Sequence, residues 1–125
     1  MFAINSADPT PLYAQLERAI RVAIATDRLG VGARLPTVRQ LAVDLRVNAN
    51  TVAKVYGELE RAGVLETRRG VGTFVREAGD EAVPQVERLR QLTALADRFL
   101  ADAAVLGFTA EEAVSLLRQR PLERG

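Results

Sequence analysis

The stretch RVNANTVAKVYGELERAG, residues 46–63, decides how this chain folds. Val52, Val55, Tyr56 and Leu59 recur at i, i+3, i+4 and i+7, the spacing of a helix lying on a core. The opposite face lacks the alternating Glu and Lys of a solvated helix. It carries Asn48, Asn50 and Thr51 at the start, then Lys54, a bare Gly57 and Arg61. Taken singly, Asn48 or Asn50 is a good N-cap, and Gly57 is a helix glycine costing about 1 kcal/mol. A cap uses one such residue, and three short polar side chains cluster here.

Working outward, Thr37 follows Pro36 and has Gln40 three positions later, a capping box that predicts a helix with Val38, Leu41, Ala42 and Leu45 buried. A break at Arg46–Asn48 leads into the quoted helix, which Gly63 stops. An earlier helix is expected from about Pro11 to Arg28, with Thr10 as its cap and Pro11 at its first position. Its stripe is Leu12, Leu16, Ala19, Ile20, Ala23 and Ile24. After Gly63 the period changes, and VLETRRGVGTFV predicts two strands, Val64–Arg68 and Thr73–Val75, joined by a turn at Gly70–Gly72. Residues 77–83 are polar and aperiodic, which predicts a linker. A long helix from Pro84 to about Leu106 and a short one from a Thr109 cap, with Glu112 as box partner, to Arg120 complete the chain. The expected architecture is mainly α with a small β-hairpin: a winged helix-turn-helix over residues 1–76, a linker over 77–83 and a two-helix segment over 84–125.

Composition narrows the function. The chain has 125 residues, 48% of them hydrophobic, enough for a modest core without staples. It has no cysteine and no histidine, so thiol catalysis is excluded and the commonest general base and metal ligand are missing. No nucleophile–base or metal-ligand constellation is visible, so neither an enzyme, nor a metal, nor another cofactor is expected. The N-terminus has no basic-then-apolar signal, and no apolar run approaches the roughly 18 residues of a membrane span, so a cytoplasmic protein is expected. Residues 1–76 hold 11 Lys/Arg against 7 Asp/Glu, whereas residues 77–125 hold 6 against 9. The first half is therefore the candidate for a polyanion partner.

In a helix-turn-helix the second helix enters the DNA major groove, with its N-terminal residues nearest the base edges. Asn50 there can pair with adenine, Lys54 can reach guanine or phosphate, and Thr51 can use its hydroxyl or its methyl. Gly57 has no side chain to hold the helix off the sugar-phosphate backbone. Arg39 projects from the first helix of the motif. Arg68 and Arg69, with Gly70, place two guanidinium groups at the hairpin tip, where a wing meets phosphate or minor groove. Edge-protecting charge is the plainer reading of those two arginines, and Arg34 is balanced between the two roles. A winged helix used for a protein partner is the competing function; it calls for an acidic or apolar face on residues 50–61, which the sequence does not supply.

The order of LPTVRQLA, VNANTV, the spacing Y-x-x-L-E-x-x-G and GVGTFV, preceded by PLYAQLERAI, closely resembles the DNA-binding domain of GntR-type bacterial transcription regulators over about residues 10–76. The short tail resembles that of the YtrA subfamily. From that resemblance, Arg39 matches an operator-contacting arginine, Asn48, Ala49, Asn50 and Thr51 occupy the contacting stretch of the recognition helix, and Arg69 and Gly70 match the wing tip. Some members carry arginine where Ala49 and Ala53 stand, so a different operator is expected. The motif turn often has glycine where Arg46 stands: either Arg46 takes a left-handed backbone at some cost or the turn differs.

The tail exposes more apolar surface than two helices can cover mutually. Leu89, Leu92, Ala96, Phe99, Leu100, Phe108 and Leu117 are expected to pair with a second copy, giving a homodimer suited to a palindromic operator on double-stranded DNA. The expected function is a transcription regulator, most simply a repressor that competes with polymerase. No residues identify a small-molecule effector.

Overall fold

The computed structural model describes residues 2, 4–77 and 83–121. The chain divides into two compact units, residues 1–79 and 80–124. The first contains α1 (Leu12–Ala25), α2 (Val38–Leu45), α3 (Ala49–Arg61) and the strands β1 (Leu65–Arg68) and β2 (Gly72–Val75); the second contains α4 (Gln85–Val105) and α5 (Ala110–Gln119). Residues 78–82 of the expected linker lie outside the described residues.

Each helix of the first unit buries the stripe its sequence marks. Leu16, Ile20 and Ala23 of α1, Leu41 and Ala42 of α2, and Val52, Val55, Tyr56 and Leu59 of α3 meet in one core, which Phe2, Leu29, Leu35, Leu65 and Val75 complete. Each large aliphatic side chain removed from water there stabilises the fold by about 1.5–3 kcal/mol. The Tyr56 hydroxyl donates to the Pro36 carbonyl at 2.7 Å, tying α3 to the chain just ahead of α2. Burial pushes the Tyr56 phenol well above its ordinary pKa, so it stays a neutral donor.

The caps explain where the helices begin. Thr37 and Gln40 form the reciprocal capping box on α2, and Thr109 and Glu112 repeat it on α5. The Asn48 side chain caps α3 by accepting from the Asn50 N–H at 2.7 Å. Helix α1 departs from expectation. Pro11 stands at its N-cap, and no side chain caps it. Instead Gln15 reaches back, donating to the carbonyls of Asn5 and Thr10 and accepting from the Asn5 N–H. A carboxamide serves both strands of that loop, which one threonine hydroxyl could not do.

The wing is wider than a hairpin. β1 and β2 pair antiparallel with Leu65 opposite Val75 and Arg68 opposite Gly72. Residues 32–35 then add a third edge to β2: Gly32 donates to Val75, Val75 to Ala33 and Leu35 to Thr73, at 2.8–2.9 Å.

Helices α2, α3 and α4 end alike, with one left-handed residue followed by an N–H that reaches back five positions, as in Val47 to Ala42, Val64 to Leu59 and Phe108 to Ala103. The left-handed residue is Gly63 after α3 and Gly107 after α4, but Arg46 after α2, at φ 56° and ψ 46°. Arg46 therefore adopts the left-handed backbone, at a cost of about 1–2 kcal/mol for a residue with a Cβ. Arg46→Gly relieves that cost but loosens the unfolded chain. A net gain of about 0.5–1 kcal/mol is expected, seen as a rise of several degrees in Tm by calorimetry. An unchanged or lowered Tm would mean that the Arg46 side chain makes compensating interactions.

Candidate nucleic-acid interface

The core that holds α3 leaves its other side free. Asn50, Ala53, Lys54, Glu58 and Arg61 are exposed and Gly57 is half-exposed, all facing away from Val52, Val55 and Leu59. This face combines short polar groups at the N-terminal end with cations further along. Lys54 makes no ion pair among the described residues, whereas Arg61 is held by Glu58 at 2.7 Å, a contact that raises its already high pKa.

The sequence-identified residues are differently prepared for a ligand. Ala49, Asn50 and Thr51 form the first turn of α3; the Asn50 N–H donates to the Asn48 side chain and the Thr51 N–H to the Asn48 carbonyl, so the exposed side chains of this turn, rather than its N–H groups, are what it offers a ligand. Asn48 is partly committed, since its side-chain oxygen serves the cap; its amide N–H groups stay available. Arg39 is exposed in the first turn of α2. Arg69 and Gly70 lie at the exposed turn of the wing, which the Val71 N–H closes onto the Arg68 carbonyl. Arg68 is held back from that tip: its guanidinium lies over the Phe74 ring, 4.5 Å from the centroid, and pairs loosely with Glu66 at 3.7 Å. No sequence pattern announces this stacking, because it depends on the strand register.

Among the described residues no group of His, Cys, Asp and Glu could hold a metal ion, and no helix is long and apolar enough to cross a membrane. What the first unit offers is a protruding helix with a polar N-terminal tip, flanked by arginines on α2 and on the wing.

That arrangement has known counterparts. The model of the bacterial regulatory proteins of the gntR family matches residues 12–75, which span α1 through β2. The chain belongs to that family. YhcF of Bacillus subtilis, an uncharacterized HTH-type transcriptional regulator, is 35% identical over 102 residues, covering 82% of this chain and 83% of its own. YtrA of Bacillus subtilis, an HTH-type transcriptional repressor, is 40% identical over 77 residues, covering 62% of this chain and 59% of its own. A GntR-family regulator from Listeria monocytogenes superposes with a TM-score of 0.66 at 28% identity, over 94% of this chain and 100% of that one. The DNA-binding domain of AraR, solved with operator ORE1, superposes with a TM-score of 0.51 at 29% identity, over 60% of this chain and 92% of that one. As a gntR-family protein, this chain is a DNA-binding transcriptional regulator with a winged helix-turn-helix, and its relatives are regulators rather than enzymes.

Within the gntR-type domain, Gly57 separates the demands of folding from those of binding. A Cβ there would meet only the Arg61 guanidinium, at an ordinary 3.7 Å. Gly57→Ala is therefore expected to stabilise the free protein by about 1 kcal/mol through helix propensity. If α3 lies against a sugar-phosphate backbone at this point, the same methyl weakens DNA binding several-fold. Thermal unfolding and DNA titration of one variant read the two effects separately, and a gain in both would place Gly57 away from DNA.

Proposed function

We propose that this protein is a homodimeric repressor that binds a palindromic operator and competes with polymerase for promoter DNA. The observation that carries the reading is the free face of α3, whose polar N-terminal tip sits on a helix locked by its other face. In this reading Asn50, Thr51 and Lys54 read base edges, with Asn48 and Ala49 close against the same bases. Arg39, Arg69 and the Gly70 backbone position the domain on phosphates, and Arg68 adds charge from its place over Phe74. The repressor assignment draws support from the YtrA repressor, and the operator from the AraR complex.

The second unit supports the dimer. Among the described residues of α4 and α5, only Ala113 is buried, while Leu89, Leu92, Phe99, Phe108 and Leu117 are exposed, Leu92 by 61%. Ala96 is also exposed and Leu100 half-buried. The two helices meet around a largely apolar groove of about 540 Å³ lined by Phe99, Ala103, Leu106, Phe108, Ala113 and Leu116. An exposed apolar face of this extent calls for a partner, and a second copy of the same face gives the two-fold symmetry that an inverted repeat requires. We assign residues 77–83 to the linker between the DNA-reading domain and this dimerisation segment, and place the protein in the cytoplasm with its DNA.

Sequences selected from a random duplex pool supply the site for the test. Asn50→Ala is expected to lose about 1–3 kcal/mol on the selected site and to relax preference at one base pair. Arg69→Ala should weaken selected and random DNA alike and flatten the salt dependence by about one unit per subunit. Equal losses on both DNAs from Asn50→Ala would remove its base-reading role. For the dimer, Leu92→Asp should convert a dimeric sedimentation profile to a monomeric one at micromolar concentration and weaken operator binding in parallel. A wild-type monomer would refute the two-fold arrangement.

A further inference from the structure

The outer face of the wing carries a feature that the proposed contacts leave unused. Side chains on a sheet alternate between faces, and residues directly opposite one another share a face. Glu66 opposes Phe74, Arg68 opposes Gly72, and a separate antiparallel bridge sets Arg34 opposite Phe74. Arg34, Phe74, Gly72, Arg68 and Glu66 therefore lie on one face, while Leu65 and Val75 on the other are buried in the core. Phe74 is flanked by two guanidinium-bearing residues, Arg68 on one neighbouring strand and Arg34 on the other.

Their fixation differs. Arg68 is stacked over Phe74 and loosely paired with Glu66. Arg34 is exposed, makes no ion pair among the described residues, and sets its guanidinium in the space beside Gly72. A Cβ at Gly72 would stand 2.8 Å from the Arg34 Nε and 3.4 Å from its Cζ and Nη2, and the Gly72 φ of 147° is itself one that side chains disfavour. The chain thus keeps a residue without a side chain where the Arg34 guanidinium rests. Backbone hydrogen bonds on both sides, from Val75 to Ala33 and from Leu35 to Thr73, fix the segment that carries it. Arg34 also stands three residues ahead of the Thr37 cap and five ahead of Arg39, so the bridge to Phe74 joins the arginine of α2 to the arginines of the wing.

We infer that Arg34 is a DNA-phosphate ligand, held by Gly72 on the outer face of the wing as a fixed cation between the contacts of Arg39 and those of the wing tip. The inference rests on the proposed function, since it assumes the first unit lies on duplex DNA. A guanidinium already laid against a rigid strand loses little rotamer freedom when it meets phosphate, and its unpaired N–H groups give up no protein partner. It carries no base information, so its signature is electrostatic. Neutralising one phosphate contributes about 0.9 to the slope of log K against log salt, which is about fivefold in affinity per subunit at about 150 mM salt.

The experiment compares the full-length wild-type chain, Arg34→Gln and Arg34→Lys on the selected duplex and on random duplex from about 50 to 200 mM salt. Arg34→Gln should bind both duplexes about fivefold more weakly per subunit, with a slope reduced by about 0.9 per subunit and an unchanged thermal midpoint. Arg34→Lys should recover the slope, because a point charge releases counterions as a guanidinium does. Gly72→Ala, which displaces the guanidinium, should lose affinity and lose no more when combined with Arg34→Gln. A wild-type chain with a steep salt dependence, alongside Arg34→Gln with the same slope, would overturn the assignment of Arg34 and leave the DNA-binding reading intact. A wild-type chain with no salt-dependent DNA binding would overturn both.

Discussion

The structure depends on the one-sided burial of α3. Val52, Val55 and Leu59 have no exposed surface, and Tyr56 adds a hydrogen bond to Pro36 across 20 residues of chain. Apolar burial alone is non-directional and would let a helix rotate or slide by a fraction of a turn. A phenol oxygen bound to one particular carbonyl removes that freedom. The face opposite the stripe is then fixed in both direction and register, and a recognition surface needs that, because a base-edge hydrogen bond fails when its donor moves by about 1 Å. In the proposed reading, folding and recognition are two sides of one 13-residue helix.

The two units solve opposite problems. The first gathers its large aliphatic side chains into one closed core and leaves only scattered valines, such as Val31 and Val43, among the polar and charged groups outside. The second leaves many of its apolar groups outward, among them Leu89, Leu92, Phe108 and Leu117. This division matches the charge distribution, with the excess of cations in the first half of the sequence and the excess of acids in the second. An acidic tail is a poor companion for phosphate, which is in keeping with the dimerisation role proposed for it.

Most of the fold was legible because its signals are local. Capping boxes at Thr37 and Thr109, a stripe spaced for 3.6 residues per turn, and the shift to alternation after Gly63 each need only a short window of sequence. The start of α3 was legible for the same reason, since Asn48 caps it as a short amide at that position can. What escaped the sequence was contact between distant residues. Gln15 bonding to Asn5 and Thr10 replaced the expected Thr10 cap, because the loop before α1 folds back on the helix. Arg68 stacking on Phe74, and Arg34 resting on Gly72, follow from strand register and from a third wing edge that no alternation pattern announces. Arg46 lay between: the sequence framed a choice between two backbones, and the structure takes the left-handed one.

On the reading proposed above, the free face of α3 is the surface that meets DNA. Titrating the isotopically labelled full-length protein with its selected duplex, and following backbone amide and side-chain signals by NMR, tests it most directly. The largest shifts should fall on residues 48–57, with a second set at Arg39 and residues 68–70, while the buried α1 residues Leu16 and Ile20 stay in place. Shifts confined to α4 and α5, or spread evenly over every exposed arginine, would contradict it.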